Sequence, residues 1–197
     1  MKLLLASRSA TRRRMLADAG VGFLPAEASV DEEAAKAELR AGGLDAAALA
    51  CALADLKARS VAAAPTQLVL GADQTLECDD GVTLDKPRSR AEAAEQLAAL
   101  SGRTHRLHSA AAIAERGSIA WRQMESVTLT MRPLGADFLR AYLDAEYDAI
   151  RHNVGGYRIE GPGIQLFDSI EGSSFAIMGL PLLPLLRYLR ERRMMPS

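Results

Sequence analysis

The chain has little cysteine, few aromatics, no excess charge of either sign and no long apolar run. Two cysteines in 197 residues, Cys51 and Cys78, cannot build a disulfide framework. Neither has a neighbouring Cys or His at metal-ligand spacing, and Cys51 reads as a small buried hydrophobe in an Ala/Leu pattern. Lys plus Arg total 24 and Asp plus Glu 25, a net charge of -1. That balance lacks the basic surplus of a dedicated nucleic-acid binder, whose affinity rests on neutralising phosphates. The longest apolar stretch, Ala176 to Leu186, is interrupted by Gly179, Pro181 and Pro184 and falls far short of the ~20 residues a membrane span needs. Met1 to Ala6 is too short for an export-signal core and runs straight into Arg8, so a soluble cytoplasmic protein is expected.

Alanine, by contrast, is abundant: 36 of the 197 residues. With aromatics at 5%, the core has to close on small side chains, and helices should be plentiful. Leu3 to Ala6 reads as a buried strand, and Ser9 or Thr11 caps a helix from Ala10 to Ala19, ended by Gly20. Val21 to Ala26 is a second strand. Asp45 caps a helix reaching about Ala63, with Leu49, Leu53 and Leu56 on one stripe. Gln67 to Asp73 is a strong strand, and Asp79-Asp80-Gly81 a hairpin turn. Ser89 caps a helix to Leu100. Thr104–Ala114 and Ile119–Met131 form two strands joined at Arg116-Gly117. A helix over 135–145, a strand over 164–170, a loop at Gly172-Ser173-Ser174 and a helix over 181–193 complete the chain. Alternating helices and strands with no repeat or long linker predict one α/β domain over residues 1–197, in two lobes.

The chemistry-bearing residues cluster where strands are predicted to end, which is where ligands bind in open α/β sheets. Ser7-Arg8-Ser9 and Arg12-Arg13 supply hydroxyls, helix N-terminal amides and guanidinium groups, a set suited to phosphate. Asp73, following Gly71-Ala72, can hold a divalent cation or take a proton from water. Lys86 sits beside a rigid Pro87, and Lys57 lies amid apolar helix residues. Each has an ordinary reading too. Arg12 to Arg14 can be a solvated helix face, Asp73 a turn residue, Lys57 a snorkelling side chain, and Asp31-Glu32-Glu33 a solvated helix start. His105 and His108 fall on one strand without forming a site. No G-x-x-x-x-G-K-[ST], G-x-G-x-x-G or G-x-S-x-G occurs, which excludes P-loop, dinucleotide and α/β-hydrolase signatures.

Taken in order, the same residues resemble the Maf family of nucleotide pyrophosphatases. Leu5-Ala6-Ser7-Arg8-Ser9-Ala10-Thr11-Arg12-Arg13 is similar to the family's L-A-S-x-S-x-x-R-R opening, without the proline that normally precedes the first arginine. Asp31-Glu32, Leu56-Lys57-Ala58, Gly71-Ala72-Asp73-Gln74, Lys86-Pro87 and Leu100-Ser101-Gly102-x-x-His105 follow in register. Gly156-Tyr157-Arg158-Ile159-Glu160-Gly161, Ile170-Glu171-Gly172-Ser173 and Gly179-Leu180-Pro181-Leu182 close the set, so the likeness spans nearly the whole chain.

The resemblance implies a bent mixed sheet flanked by helices, related to inosine-triphosphatase-like folds, with a cleft between two lobes. It implies hydrolysis of a nucleoside triphosphate to monophosphate and pyrophosphate with a divalent metal, Mg²⁺ or Mn²⁺. It also implies a link to septum formation and a homodimer. Asp73 is then the proton acceptor, and Glu32 with Asp73 the metal ligands. Arg12, Arg13, Lys57 and Lys86 neutralise phosphates, and Ser7 and Ser9 donate to them. Gln74 and Glu160, with Ile164-x-Leu166-Phe167, resemble the branch acting on 7-methyl-GTP; the dTTP/UTP branch has threonine and glutamine at those two positions. A carboxylate accepts from the N–H donors of guanine and favours a cationic methylated base. The alternatives are a dTTP/UTP pyrophosphatase of the same family and a non-enzymatic nucleotide-binding regulator of cell division.

Overall fold

A computed structural model describes residues 1–196. Strand β1 (Lys2–Ala6) leads through helix α1 (Ala10–Asp18) to β2 (Phe23–Pro25). Helices α2 (Glu32–Ala41) and α3 (Ala46–Arg59) precede the long strand β3 (Gln67–Cys78) and the short β4 (Thr83–Leu84). Then come α4 (Arg90–Leu100), β5 (Thr104–Glu115), β6 (Ser118–Met131), α5 (Ala136–Ile150), β7 (Phe167–Glu171), α6 (Ser174–Ile177) and α7 (Leu182–Glu191). They form one mixed seven-stranded sheet in the order β2-β1-β3-β5-β6-β7, with β4 pairing β3. β1 runs parallel to β2 and β3, and the remaining pairs are antiparallel. The expected α/β class, a mixed sheet flanked by helices, is what the chain adopts. Among the described residues no helix is long and apolar enough to cross a membrane.

The long strands pass through three apolar clusters. Leu68, Leu70 and Ala72 of β3 pack with Leu3, Leu5, α1 and α7. Val69 faces the opposite side, against the small-residue stripe Ala50, Ala54 and Ala58 of α3. Leu76 and Cys78, farther along the same strand, join α4, α5 and the ends of β6 and β7. Alanine abundance has a direct use here. A Cβ on Gly71 would lie 2.3 Å from the Ala54 carbonyl and 2.5 Å from the Ala58 nitrogen, so only a glycine opposite alanines lets α3 come this close.

Several boundaries differ from the sequence expectation. β3 does not stop at Asp73: β5 pairs with it from Leu68↔Glu115 through Cys78↔His105, and this ladder carries the strand across its polar residues. Residues 162–166 form a 3-10 turn with Pro162 at its start, and the strand begins only at Phe167. The supposed loop at Ser173-Ser174 opens the one-turn helix α6. Helix α3 ends at Arg59 rather than near Ala63, and Pro181 caps α7 rather than lying inside it. The Arg116-Gly117 connection matches expectation. Both residues have positive φ, 52° and 79°, as a two-residue hairpin of matching twist requires.

Candidate active site

A cavity of about 790 Å³ opens between the cluster around α1 and the cluster around α4 and α5. Its origin lies in the sheet. β1 pairs β3 only as far as Ala6↔Gly71, and β4 joins the same edge at Leu76↔Leu84. Between those points β3 has no strand neighbour on that side among the described residues, and the expected site residues other than Arg13 line the cavity there.

Arg12 fills part of the gap. Its Nη1 donates to the carbonyl of Ala72 at 3.0 Å and its Nε to the carbonyl of Gly179 at 2.7 Å. These are charge-assisted bonds to carbonyls that no strand partner serves. Gly179 is held at φ +95°, and a Cβ there would meet the Arg12 Nη2 at 3.1 Å. Burial lowers the basicity of Arg12, and the opposing fields of Asp73 and Glu32 hold against it. Ser9 is the N-cap of α1, its Oγ accepting from the Arg12 amide at 3.3 Å. Ser7 Oγ accepts from the Ser9 amide at 3.3 Å and lies 3.4 Å from Arg12 Nη1. α1 has no acid in its first turn, so its positive end faces the cavity uncompensated.

Lys57, Asp73 and Glu32 form one ionic group around a buried ammonium. Lys57 Nζ lies 2.5 Å from Asp73 Oδ1 and 3.0 Å from Glu32 Oε2. The ammonium does not snorkel: Lys57 is 5% exposed. The close α3–β3 approach at Gly71 puts it there. Burial pushes the Glu32 carboxyl up, but Lys57, Lys86 and Arg8 outweigh that and hold it below the usual range. Glu32 is the first residue of α2, capped by Asp31, whose Oδ1 accepts from Ala34 at 3.1 Å.

Lys86 also lines the cavity, and partial desolvation lowers its ammonium while Glu32 pulls the other way. Its preceding residue, Asp85, was not a sequence candidate and proves central. Arg40 grips its carboxylate at 2.9 and 3.1 Å, Lys36 donates to Oδ1, and Gln96 donates to its carbonyl at 3.1 Å. Asp85 thus ties the helix bearing Glu32 to the turn bearing Lys86.

At the other end of the cavity stand Asn153, Tyr157 and Glu160. Asn153 Nδ2 donates to the Tyr157 carbonyl at 3.0 Å, and the Tyr157 hydroxyl meets His105 Nε2 at 2.7 Å. His105 is therefore a buried support of the wall, its imidazole pushed by burial to about 4 and neutral. Gln74 lines the cavity, but its amide nitrogen is committed to Ser109 Oγ, Ala176 O and Ile177 O at 2.8, 2.9 and 3.0 Å. Only its carbonyl oxygen is left for a ligand. Arg13 is not brought to the cavity: it is exposed and donates to the Ser7 carbonyl at 3.3 and 3.4 Å, bracing the turn from behind. Ser7, Ser9, Arg12, Glu32, Lys57, Asp73, Gln74, Lys86 and Glu160 all line it.

Residues 2–192 match the profile of a family described as Maf-like protein. The chain belongs to the Maf-like family. A Maf-like relative named nucleoside triphosphate pyrophosphatase, from Nitrobacter winogradskyi, is 48% identical over 96% of this chain and 93% of its own. One named 7-methyl-GTP pyrophosphatase, from Rhizobium etli, is 45% identical over 96% of each chain. A HAM1 protein structure from Coxiella burnetii aligns with a TM-score of 0.42 and 18% identity over 66% of this chain and 73% of that one.

For a Maf-like protein the cofactor question turns on the donor set. No cluster of three His, Cys, Asp or Glu side chains occurs among the described residues. Two carboxylates, Glu32 and Asp73, do converge on a shared cation, the Lys57 ammonium. Paired hard oxygens completed by substrate phosphates suit Mg²⁺ or Mn²⁺, which seldom take an all-protein cage. The residues present fit such an ion.

Proposed function

We propose that this chain is a nucleoside triphosphate pyrophosphatase. It cleaves the α–β phosphoanhydride of a purine triphosphate carrying a 7-methylguanine-like base and releases the monophosphate and pyrophosphate. The supporting observation is the meeting of Arg12, Lys57, Lys86, Glu32 and Asp73 on one cavity where β3 lacks a neighbour. The names of the Maf-like relatives give the same reaction class, and one of them the methylated base.

Phosphoryl transfer asks mostly for positioning and charge stabilisation. The amides at the start of α1, Ser7 Oγ, Arg12 Nη2 and Lys86 Nζ hold the triphosphate. Glu32 and Asp73 would hold a divalent cation, which supplies charge neutralisation at the phosphate oxygens. Lys57 fixes Asp73 through Oδ1 and leaves Oδ2 free. That oxygen takes a proton from the attacking water as the new P–O bond forms at the α-phosphorus. The bridging oxygen departs with pyrophosphate, and the proton on Asp73 returns to solvent. Glu160 accepts from the base edge and balances its positive charge.

Asp73→Asn keeps the shape and removes the base, so turnover should fall by about 10² to 10⁴. Pyrophosphate release from 7-methyl-GTP, GTP, UTP and dTTP, with Mg²⁺ or Mn²⁺, is the assay. Near-wild-type turnover in the variant removes Asp73 from the scheme. Preference for UTP or dTTP overturns the base assignment alone. Orthophosphate as the product overturns the reaction, and binding without turnover turns the reading to a regulator.

A further inference from the structure

Glu160 and Arg158 sit two residues apart in one turn at the base end of the cavity, and the simplest outcome would be a mutual ion pair. They do not form one. The Arg158 guanidinium feels the Glu160 charge but spends its hydrogen bonds on Glu146 of α5, through two parallel bonds, Nε–Oε2 at 2.7 Å and Nη2–Oε1 at 3.2 Å. Glu146 is 7% exposed, so this carboxylate is committed inside the lobe. The turn is built around the arrangement. A Cβ on Gly161 would stand 3.0 Å from Cζ, Nε and Nη2 of Arg158, so the guanidinium is packed under a glycine. Gly163 is pinned likewise: a Cβ there would lie 2.3 Å from the Arg158 carbonyl and 2.9 Å from the Tyr142 hydroxyl. Among the described residues no cation pairs with Glu160, which lines the cavity exposed.

We infer that Glu146 is a specificity-determining positioning residue: by holding Arg158 in a bidentate pair it keeps the Glu160 carboxylate free of a direct ion pair and open to a cationic base. This deepens the proposed function and rests on it. A bidentate Arg–carboxylate pair is the strong form of the interaction, and its geometry fixes where the charge sits. If Glu146 releases Arg158, the guanidinium can turn to the carboxylate two residues away, whose charge it already feels. Glu160 then presents a neutralised pair, and a base bearing a formal positive charge loses its advantage over a neutral one. Glu146 touches no substrate. Its effect falls on discrimination between two nearly isosteric ligands, which a merely structural role would slow alike.

The test measures kcat/KM for 7-methyl-GTP and for GTP in the wild type, Glu146→Gln and the double variant Glu146→Gln/Arg158→Gln. The wild type should prefer the methylated nucleotide. Glu146→Gln should cut that preference about tenfold, the scale of one charge interaction in a half-exposed cleft. The double variant should restore it, since the released cation is gone. A wild type without preference overturns the base assignment and this inference with it. A wild-type preference that survives in Glu146→Gln overturns the inference alone. Arg158→Gln by itself guards against a misfolded Glu146 variant. It should leave the ratio unchanged, and a tenfold rise would mean that Arg158 already neutralises Glu160, which also overturns the inference.

Discussion

Replacing Lys57 with methionine puts the ionic group at the heart of the cavity to a direct trial. Methionine keeps the length and apolar stem but removes the charge that Asp73 and Glu32 share. Breaking a buried pair from one side costs about 3–5 kcal/mol, because the surviving charge is left uncompensated. Asp73 has 13% of its side chain exposed and Glu32 has 38%, so water screens Glu32 far better. The lower end, about 3 kcal/mol, is the expected loss at pH 7. Urea unfolding followed by the fluorescence of Trp121, stacked on Tyr188 at 5.3 Å, measures it. Two further signatures separate this cause from simple misfit. A divalent cation binding the vacated carboxylates stabilises the variant by RT ln(1 + [L]/Kd), about 2.7 kcal/mol at a hundredfold excess over Kd. In the wild type Lys57 competes for those oxygens, so the gain is smaller. The second signature is pH. Glu32 is held below its unfolded value in the wild type, so its stabilisation is present above the unfolded pKa and lost as pH falls through the folded one. Without Lys57 only Lys86 and Arg8 oppose burial at Glu32, its carboxyl is held down less, and the deficit of the variant narrows as pH falls into the acid range. A Lys57→Met protein within about 1 kcal/mol of wild type, indifferent to Mg²⁺ and to pH, would refute the idea that this ammonium holds the site together.

Three other outcomes follow from the same coordinates. His105 has its folded pKa lowered to about 4 by burial, so the unfolded chain binds the proton first. Wild-type stability should therefore drop by roughly 3 kcal/mol as pH falls from about 6.5 to 4, and His105→Phe should flatten that slope in pH-dependent denaturation curves. Asp85→Ala frees both the α2 helix and the Lys86 turn, so kcat should fall about tenfold and the Mg²⁺ requirement rise while substrate affinity changes less; equal effects on all three would mean a general loss of fold. Gly71→Ala forces α3 off the sheet, at about 1–3 kcal/mol by urea midpoint, and a silent substitution would contradict the close approach of Ala54 and Ala58.

Much of the fold could be read locally. Ser9, Asp45 and Ser89 each cap the helix expected of them, accepting from Arg12, Ala48 and Glu92 respectively. What resisted reading depended on partners distant in the chain. The polar run after Gly71 looks like a strand end, yet β5, beginning at Thr104, supplies a ladder as far as Cys78↔His105. Lys57 sits among alanines in a pattern that suits a snorkelling side chain. Its burial follows from the glycine opposite and the carboxylates of α2 and β3. Arg13 stands beside Arg12 in a motif that treats them alike, but successive helix residues point about 100° apart, and only Arg12 reaches the cavity. Glu146 falls on the buried stripe of α5 with Tyr142, Leu143 and Ile150, but nothing in its own segment says which distant cation meets it.

The location of the site has a backbone cause that precedes any side-chain choice. A strand edge left without a neighbour exposes carbonyls that must find donors. β1 stops at Ala6 because the chain turns there into α1, and β4 does not meet β3 until Leu76. The carbonyl of Ala72, in that interval, takes an arginine as its donor, and the same guanidinium donates to the carbonyl of Gly179. One cation therefore serves the open edge and ties α1 to the segment before α7 while its Nη2 stays available to phosphate. A longer β1 would seal the edge with a ladder and remove both the opening and the reason for an arginine to lie across it. The gap in the sheet is what gives Asp73, in the middle of a strand, the access that sequence patterning assigns to strand ends.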